Sequence, residues 1–229
     1  IGTEEYENDR DCNFYTAYQL LKKYETIVIK PNNSYEGKKV YRCSSMKDIE
    51  MAFQSIYPTH KFVVISPYIN AINEYRTFIL NGTVLLIYRK SLPYIIADGK
   101  STVLELLVKH SYDFGTVNPE LYKKLNCILP IGEKVLLNWK FNLSQGASSQ
   151  IIKQSDLCSK LSILAIKAAN AIGISFATVD IIEDQSGKLS VLEINAGVAM
   201  DQFIQQIPSG RDIATTIYEK AILSMFHLD

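Results

Sequence analysis

The segment "EYRTFILNGTVLLIYRK" (74–90) constrains the fold of this chain more than any other. Two runs rich in β-branched and aromatic residues flank Asn81–Gly82. A two-residue turn of that kind asks for positive φ at both positions, which Asn and Gly tolerate. The segment is therefore expected to be an antiparallel hairpin, and its apolar residues need cover from further strands or helices. Charges also recur on it: Glu74 and Arg76 alternate on the first strand and Arg89 lies on the second. Charges facing inward on a hairpin are either cross-strand ion pairs or the wall of a polar site. The residues alone leave both readings open.

A second strand pair is expected near the end of the chain, where "SFATVDIIED" (175–184) meets "KLSVLEINAG" (188–197) across a "QSGK" turn. Alternation along a strand places Glu193 and Asn195 side by side on one face, and Asp180 is similarly placed on the preceding strand. Two carboxylates and an amide form an all-oxygen donor set. That suits Mg²⁺, which takes a few protein oxygens and completes its octahedron with water and substrate phosphates. The competing reading makes them solvated strand-end residues or hydrogen-bonded core polars. It weakens for the three together, because Glu193 and Asn195 stand in an apolar run that reads as buried, where an unpartnered polar group is costly.

Helices are expected over 14–24, 44–57, 97–110 (after a turn, capped by Ser101 or Thr102), 155–172 and 210–226. Strands are expected at 26–31, 38–43, 61–69 and 134–139. In the helix 155–172, Leu157, Leu161, Leu164, Ala165, Ala168 and Ile172 form one apolar stripe, and Gly173 ends it. Residues 111–133 read as irregular, with at most one short helix, and "NLSQGASS" (142–149) as a polar loop. Lys30 closes an apolar strand just before the polar segment "NNSYEG" (32–37), where a lysine meets either solvent or a phosphate. The order of elements is α+β, without repeats or low-complexity linkers. A division near residue 66 separates a small lobe, 1–66, from a larger one, 67–229.

The 24 basic and 24 acidic side chains cancel, which argues against a nucleic-acid backbone or an anionic membrane surface as the main partner. No run has the length of a transmembrane helix. Cys12, Cys43, Cys127 and Cys158 are far apart, as reduced thiols of a cytoplasmic protein would be. His60, His110 and His227 lack zinc-ligand spacing.

Taken together, "IVIKP", "VVISPYINAINEYRTFILNG", "ADGKSTVLELL", "NLSQGASS" and "ATVDIIEDQSGKLSVLEINAG" resemble the ATP-grasp superfamily. The likeness is strongest to the amide-forming branch that includes glutathione synthetases, cyanophycin synthetases and ribosomal-protein glutamate ligases. The resemblance implies two α+β lobes gripping ATP. It also implies an ATP-dependent carboxylate–amine ligase working through an acylphosphate, with release of ADP and phosphate. By the same resemblance, Lys30 contacts the ATP phosphates, and Ser34 and Gly37 belong to a flap over them. Ser66, Pro67, Tyr68 and Ile69 form the adenine hinge, and Glu74 binds ribose hydroxyls. Arg76, Arg89 and Asn142 face the transferring phosphoryl group and the reacting carboxylate. Asp180, Glu193 and Asn195 hold two Mg²⁺ ions, or Mn²⁺, with Glu193 bridging. The implied partners are a small carboxylate and an amine, such as an amino acid or short peptide, and a homo-oligomer is compatible with this. The alternatives are an ATP-grasp kinase that stops after phosphoryl transfer, and a nucleotide-binding module without turnover. The loop 32–37 is poorer in glycine than the family's, nothing before residue 26 matches a further ATP-binding lysine, and "NAGVAMDQF" departs from the commoner ending. With Ile at position 1, these features lead to the expectation of a catalytic core from a longer protein.

Overall fold

A computed structural model describes residues 13–33, 37–110, 112, 119–153 and 155–226. The chain divides into two compact units, Ile1–Asn70 and Ala71–Asp229. The boundary falls four residues later than the sequence suggests. Strand pairing runs on to Pro67, and the Tyr68 N–H then donates to the Thr26 carbonyl at 3.0 Å, which ties the expected hinge residues into the first unit.

The first unit contains α1 (Asn13–Tyr24), β1 (Ile27–Pro31), β2 (Tyr41–Cys43), α2 (Met46–Ile56) and β3 (Val63–Pro67). Its sheet is antiparallel in the order β2-β1-β3. Alternation along β1 buries Ile27 and Ile29. They meet Ala17 and Leu20 of α1 and Ile49, Ala52, Phe53 and Ile56 of α2. A capping box starts α2: the Ser45 hydroxyl accepts from the Asp48 N–H while the Asp48 carboxylate accepts from the Ser45 N–H. Cys43 belongs to this core, and burial pushes its thiol up to about 12, with the charge of Asp48 adding to the effect.

The second unit contains β4 (Ala71–Leu80), β5 (Thr83–Ser91), β6 (Tyr94–Ile96), α3 (Val103–Lys109), β7 (Lys134–Leu136), β8 (Ser148–Ile151), α4 (Asp156–Ala171), β9 (Phe176–Asp184), β10 (Leu189–Asn195), α5 (Asp201–Gln206) and α6 (Gly210–Met225). Five strands form an antiparallel sheet in the order β10-β9-β4-β5-β8. Asn81 and Gly82 turn the hairpin with φ of 47° and 74°, as a two-residue turn requires. One face packs Tyr75, Ile79, Ile87, Val179 and Ile181 on Leu161, Ala165 and Ala169 of α4. The expected stripe on α4 is thus displaced at its end, since Ile172 is the C-cap and exposed. The other face packs Phe78, Leu86 and Tyr88 on Phe203 of α5 and on Ala214 and Ile217 of α6. A separate β6-β7 pair packs with α3 around Ile95, Leu107 and Val135.

Three features depart from the sequence reading. The "SSQI" segment is a strand, β8, because an edge position asks only for main-chain hydrogen bonds on one side. Residues 201–206 form a helix within the "NAGVAMDQF" region. Strand β10 is an edge strand rather than a buried one: Glu193 is exposed and Leu192 is 46% exposed. Among the described residues no helix is long and apolar enough to cross a membrane.

Two single-residue bulges decide which side chains share a face. In the hairpin, Ile79 pairs with Val84 but Phe78 pairs with Leu86, so Leu85 is the extra residue. In the second pair, Val191 faces Ile181 but Glu193 faces Asp180, so Leu192 is the extra residue. Each bulge turns everything beyond it to the opposite side of the sheet.

Candidate active site

Past the two bulges, one face of the sheet collects charge. Across it run Glu193 of β10, Asp180 of β9, Arg76 of β4 and Tyr88 of β5, each the register partner of the next. One pair along, Glu74 faces Lys90, and in the other direction Asn195 faces Thr178. Arg76 clamps Asp180 with both ends of its guanidinium, Nε to Oδ1 at 2.7 Å and Nη2 to Oδ2 at 2.6 Å. Lys90 reaches over β4: its Nζ donates to Glu74 Oε1 at 2.5 Å and to Asp180 Oδ2 at 3.0 Å. Glu74, Lys90 and Asp180 are buried and Arg76 is half-buried.

Two carboxylates and two cations balance here, which is the condition for burying charge at tolerable cost. Burial alone would raise the Asp180 carboxyl. The Lys90 charge and the Arg76 hydrogen bonds and charge overcome it and hold Asp180 well below the usual carboxylate range. Glu74 goes the other way, because its burial outweighs the pull of Lys90. Lys90 stays protonated: the charges of Asp180 and Glu74 offset its desolvation.

The donor set suits a hard cation. Asp180 and Glu193 are direct cross-strand partners, and the Asn195 amide donates to Glu193 Oε1 at 3.0 Å, so the three expected ligands lie on one face. Among the described residues, no group of three or more His, Cys, Asp or Glu stands together. Two carboxylates and an amide suit a magnesium ion that keeps water or phosphate in its shell better than a caged Ca²⁺.

The structure separates Arg89 from this group. Arg89 is the partner of Tyr75, not of Glu74 or Arg76, and so shares the face that packs on α4. Its Nη2 donates to Gln150 Oε1 at 2.6 Å. On that face Tyr75 and Asn73 both donate to Glu183 Oε2, at 2.6 and 2.8 Å. The bulge at Leu85 is the reason: it brings Lys90 to the site face, where an unbulged hairpin would have brought Arg89. Sequence reasoning passed over Lys90. The signal that could have found it is a second cation next to Arg89 at the end of an apolar strand.

Asn142 is half-buried at the start of a short 3₁₀ helix, Leu143–Gln145, with no capping hydrogen bond from its side chain. The buried asparagine of this segment is Asn138, whose amide donates to Gln145 Oε1 at 3.1 Å. Lys140, two residues before Asn142, is half-buried, and desolvation lowers its pKa.

In the first unit, Lys30 is half-buried on β1 opposite Val64. Gly37 has φ of 69°, in the left-handed region. Ser34 lies outside the described residues. Ser66 and Pro67 pair with Val28 and Ile27, and the Arg42 guanidinium lies 4.3 Å over the Tyr68 ring. Ile69 is half-buried in the segment after β3.

One sheet face of the second unit thus gathers two carboxylates, an amide and two cations, side chains of the kind that suit a hard metal ion and phosphate oxygens. Comparison with known proteins agrees. Residues 137–221 match the model of the RimK-like ATP-grasp domain. The chain is 42% identical over 59 residues to the tetrahydromethanopterin:alpha-L-glutamate ligase of Methanocaldococcus jannaschii, which covers 26% of this chain and 19% of that protein. It is 24% identical to the glutathione biosynthesis bifunctional protein GshAB of Streptococcus thermophilus over 89% of this chain and 31% of that one. The crystal structure of D-alanine–D-alanine ligase from Bacillus anthracis superposes with a TM-score of 0.58 at 14% identity, over 93% of this chain and 59% of that one. The second unit thus carries the stretch similar to a RimK-like ATP-grasp domain, and the chain shares the fold of ATP-grasp ligase structures. It spans no more than about a third of the curated relatives it matches, 19% of one and 31% of the other.

Proposed function

We propose that this chain is the catalytic ATP-grasp portion of an ATP-dependent ligase that joins a small carboxylate to an amine. The observation that carries the reading is the row Glu193–Asp180–Arg76, in which acid and base from three strands meet on one sheet face. ATP-grasp ligases use ATP and magnesium. Asp180, Glu193 and Asn195 would hold the metal, one ion or two, which supplies charge neutralisation for the phosphates. Glu74 would take the ribose hydroxyls.

The reaction has two steps. A substrate carboxylate oxygen attacks the γ-phosphorus and ADP leaves, giving an acylphosphate. The amine nitrogen then attacks the acyl carbon, phosphate leaves, and the amide forms with loss of a proton from nitrogen. Arg76, which donates to Asp180 through Nε and Nη2, brings to this face a positive charge that can stabilise negative charge as it develops. Asn142 and Lys140 would act on the transferring group as a donor and a cation. Lys30 and Gly37 would bind phosphate, and the main chain of Ser66–Ile69 the adenine. Arg89 would act on its own side of the sheet rather than on the phosphates. An amino acid or short peptide is the substrate class that the glutamate-ligase and glutathione relatives suggest. A cytoplasmic site of action goes with ATP use.

The test is calorimetric titration of Mg²⁺ with a non-hydrolysable ATP analogue into the wild-type chain and into Glu193→Gln. Mg²⁺-dependent binding that the variant loses is expected, and no binding by either would remove the reading. ADP release that needs both a carboxylate and an amine marks the ligase. Release that needs no amine marks a kinase, and binding without release marks a module without turnover.

A further inference from the structure

We propose that Lys90 is a positioning residue that sets the metal affinity of this site, its ammonium acting as a built-in counter-cation that competes with a divalent ion for Asp180 Oδ2. The inference rests on the reading of Asp180 as a metal ligand and deepens it. Nothing in the sequence pattern or the resemblance gives Lys90 a role.

Both oxygens of Asp180 are engaged: Oδ1 by Arg76 Nε, and Oδ2 by Arg76 Nη2 and Lys90 Nζ. Three N–H donors therefore already occupy the carboxylate that a divalent ion would use. Arg76 is half-buried at 22% side-chain exposure, so its guanidinium has room to turn outward. Lys90 has no such room. Its side chain is 5% exposed, and Glu74 anchors the same ammonium on the other side at 2.5 Å. A cation fixed 3.0 Å from Oδ2 repels any dication bound there, and burial weakens the screening that would soften that repulsion.

The consequence is a division of labour between two carboxylates. Glu193 is exposed and, among the described residues, accepts only a neighbouring amide, so it is open to a metal ion directly. Asp180 becomes a strong ligand only when something else offsets the repulsion, and the phosphates of a bound nucleotide carry the required negative charge. Metal alone should bind weakly, and metal with nucleotide tightly. Lys90 thus couples the two ligands. Through Glu74 it also ties the carboxylate expected at the ribose to the carboxylate expected at the metal.

The test uses Mn²⁺ as the probe, counted by its free-ion paramagnetic resonance signal, without nucleotide. The wild-type chain is compared with Lys90→Met, Lys90→Arg and the double variant Lys90→Met/Glu74→Gln, which keeps the buried charges balanced if the single variant folds poorly. Near-ultraviolet circular dichroism checks each fold. Removing a like charge at this distance is worth at least about tenfold in affinity. Lys90→Met and the double variant should therefore bind Mn²⁺ about tenfold or more tighter than wild type, while Lys90→Arg restores the weak binding. Folded Lys90→Met and double variants that bind Mn²⁺ no more tightly than wild type would overturn the proposal. Titration of the same proteins with Mg²⁺ and the ATP analogue separates the two ideas. Wild type that binds the analogue, with Mn²⁺ affinity indifferent to Lys90, defeats this proposal and leaves the ligase reading standing. Wild type that ignores the analogue, with Mn²⁺ affinity raised by Lys90→Met, does the reverse.

Discussion

Along the same face of β4, β5 and β9, two neighbouring stretches are held together by different physics. Phe78, Leu86 and Tyr88 pack on α5 and α6, with the Tyr88 and Phe203 rings stacked at 5.0 Å. One step along the strands, Glu74, Arg76, Lys90 and Asp180 form a closed set of ion pairs. The apolar stretch is stabilised by area, which is non-directional and roughly additive. The charged stretch is stabilised by specific, shared partners, and removing any member leaves the remaining buried charges out of balance. The first should tolerate conservative change and the second should not.

The largest effect is expected for Asp180→Ala. It removes the acceptor that Arg76 and Lys90 share, so equilibrium denaturation should show a loss of about 3–5 kcal/mol, together with complete loss of Mg²⁺-dependent nucleotide binding. Phe78→Ala, at a fully buried position, should cost a similar about 3 kcal/mol from lost burial and the cavity left behind. Nucleotide binding measured well below its melting temperature should survive. If Phe78→Ala abolished binding as completely as Asp180→Ala, the two stretches would not be separable.

Deleting Leu192 sharpens the contrast, because that residue is the bulge and is half exposed. Without it, Glu193 and Asn195 turn to the other side of the sheet. A modest loss of stability, about 1–2 kcal/mol, should accompany loss of Mg²⁺-dependent binding as complete as in Glu193→Gln. Preserved binding in the deletion would show that the face is not set by this bulge.

The smallest effect is in the pH dependence. Asp180 titrates below its unfolded value of about 3.9, so its pairs contribute full stability above that pH. The contribution fades as the pH falls below about 3.9 and through the lower folded value. Denaturation at pH 7, 4 and 3 should show the gap between wild type and Asp180→Asn narrowing at the acid end. A gap that stayed constant would mean that Asp180 is not held below its ordinary range.

Much of this protein is legible in local sequence. Asn81–Gly82 makes its hairpin, and Ser45 with Asp48 starts α2. Leu161 and Ala165 point α4 at the sheet, and alternation puts Glu193 and Asn195 on one face of their strand. Each depends on contacts within a few residues or on a period the chain carries along its length. The edge position of β10, the strand in "SSQI" and the burial of Asn138 rather than Asn142 were not legible, because all three depend on which distant segment lies alongside.

The sequence by itself determined the elements, the turn and the residue types that can handle a metal and phosphates. Only the tertiary structure decided which of those residues meet. Leu85 and Leu192 each add one residue to a strand, and one residue in a period of two exchanges the faces. That is why Lys90 stands beside Glu74 and Asp180 while Arg89 looks the other way, and why Glu193 and Asn195 come to the side of Asp180. A bulge forms where the packing of both faces favours it, and that packing comes from helices far along the chain.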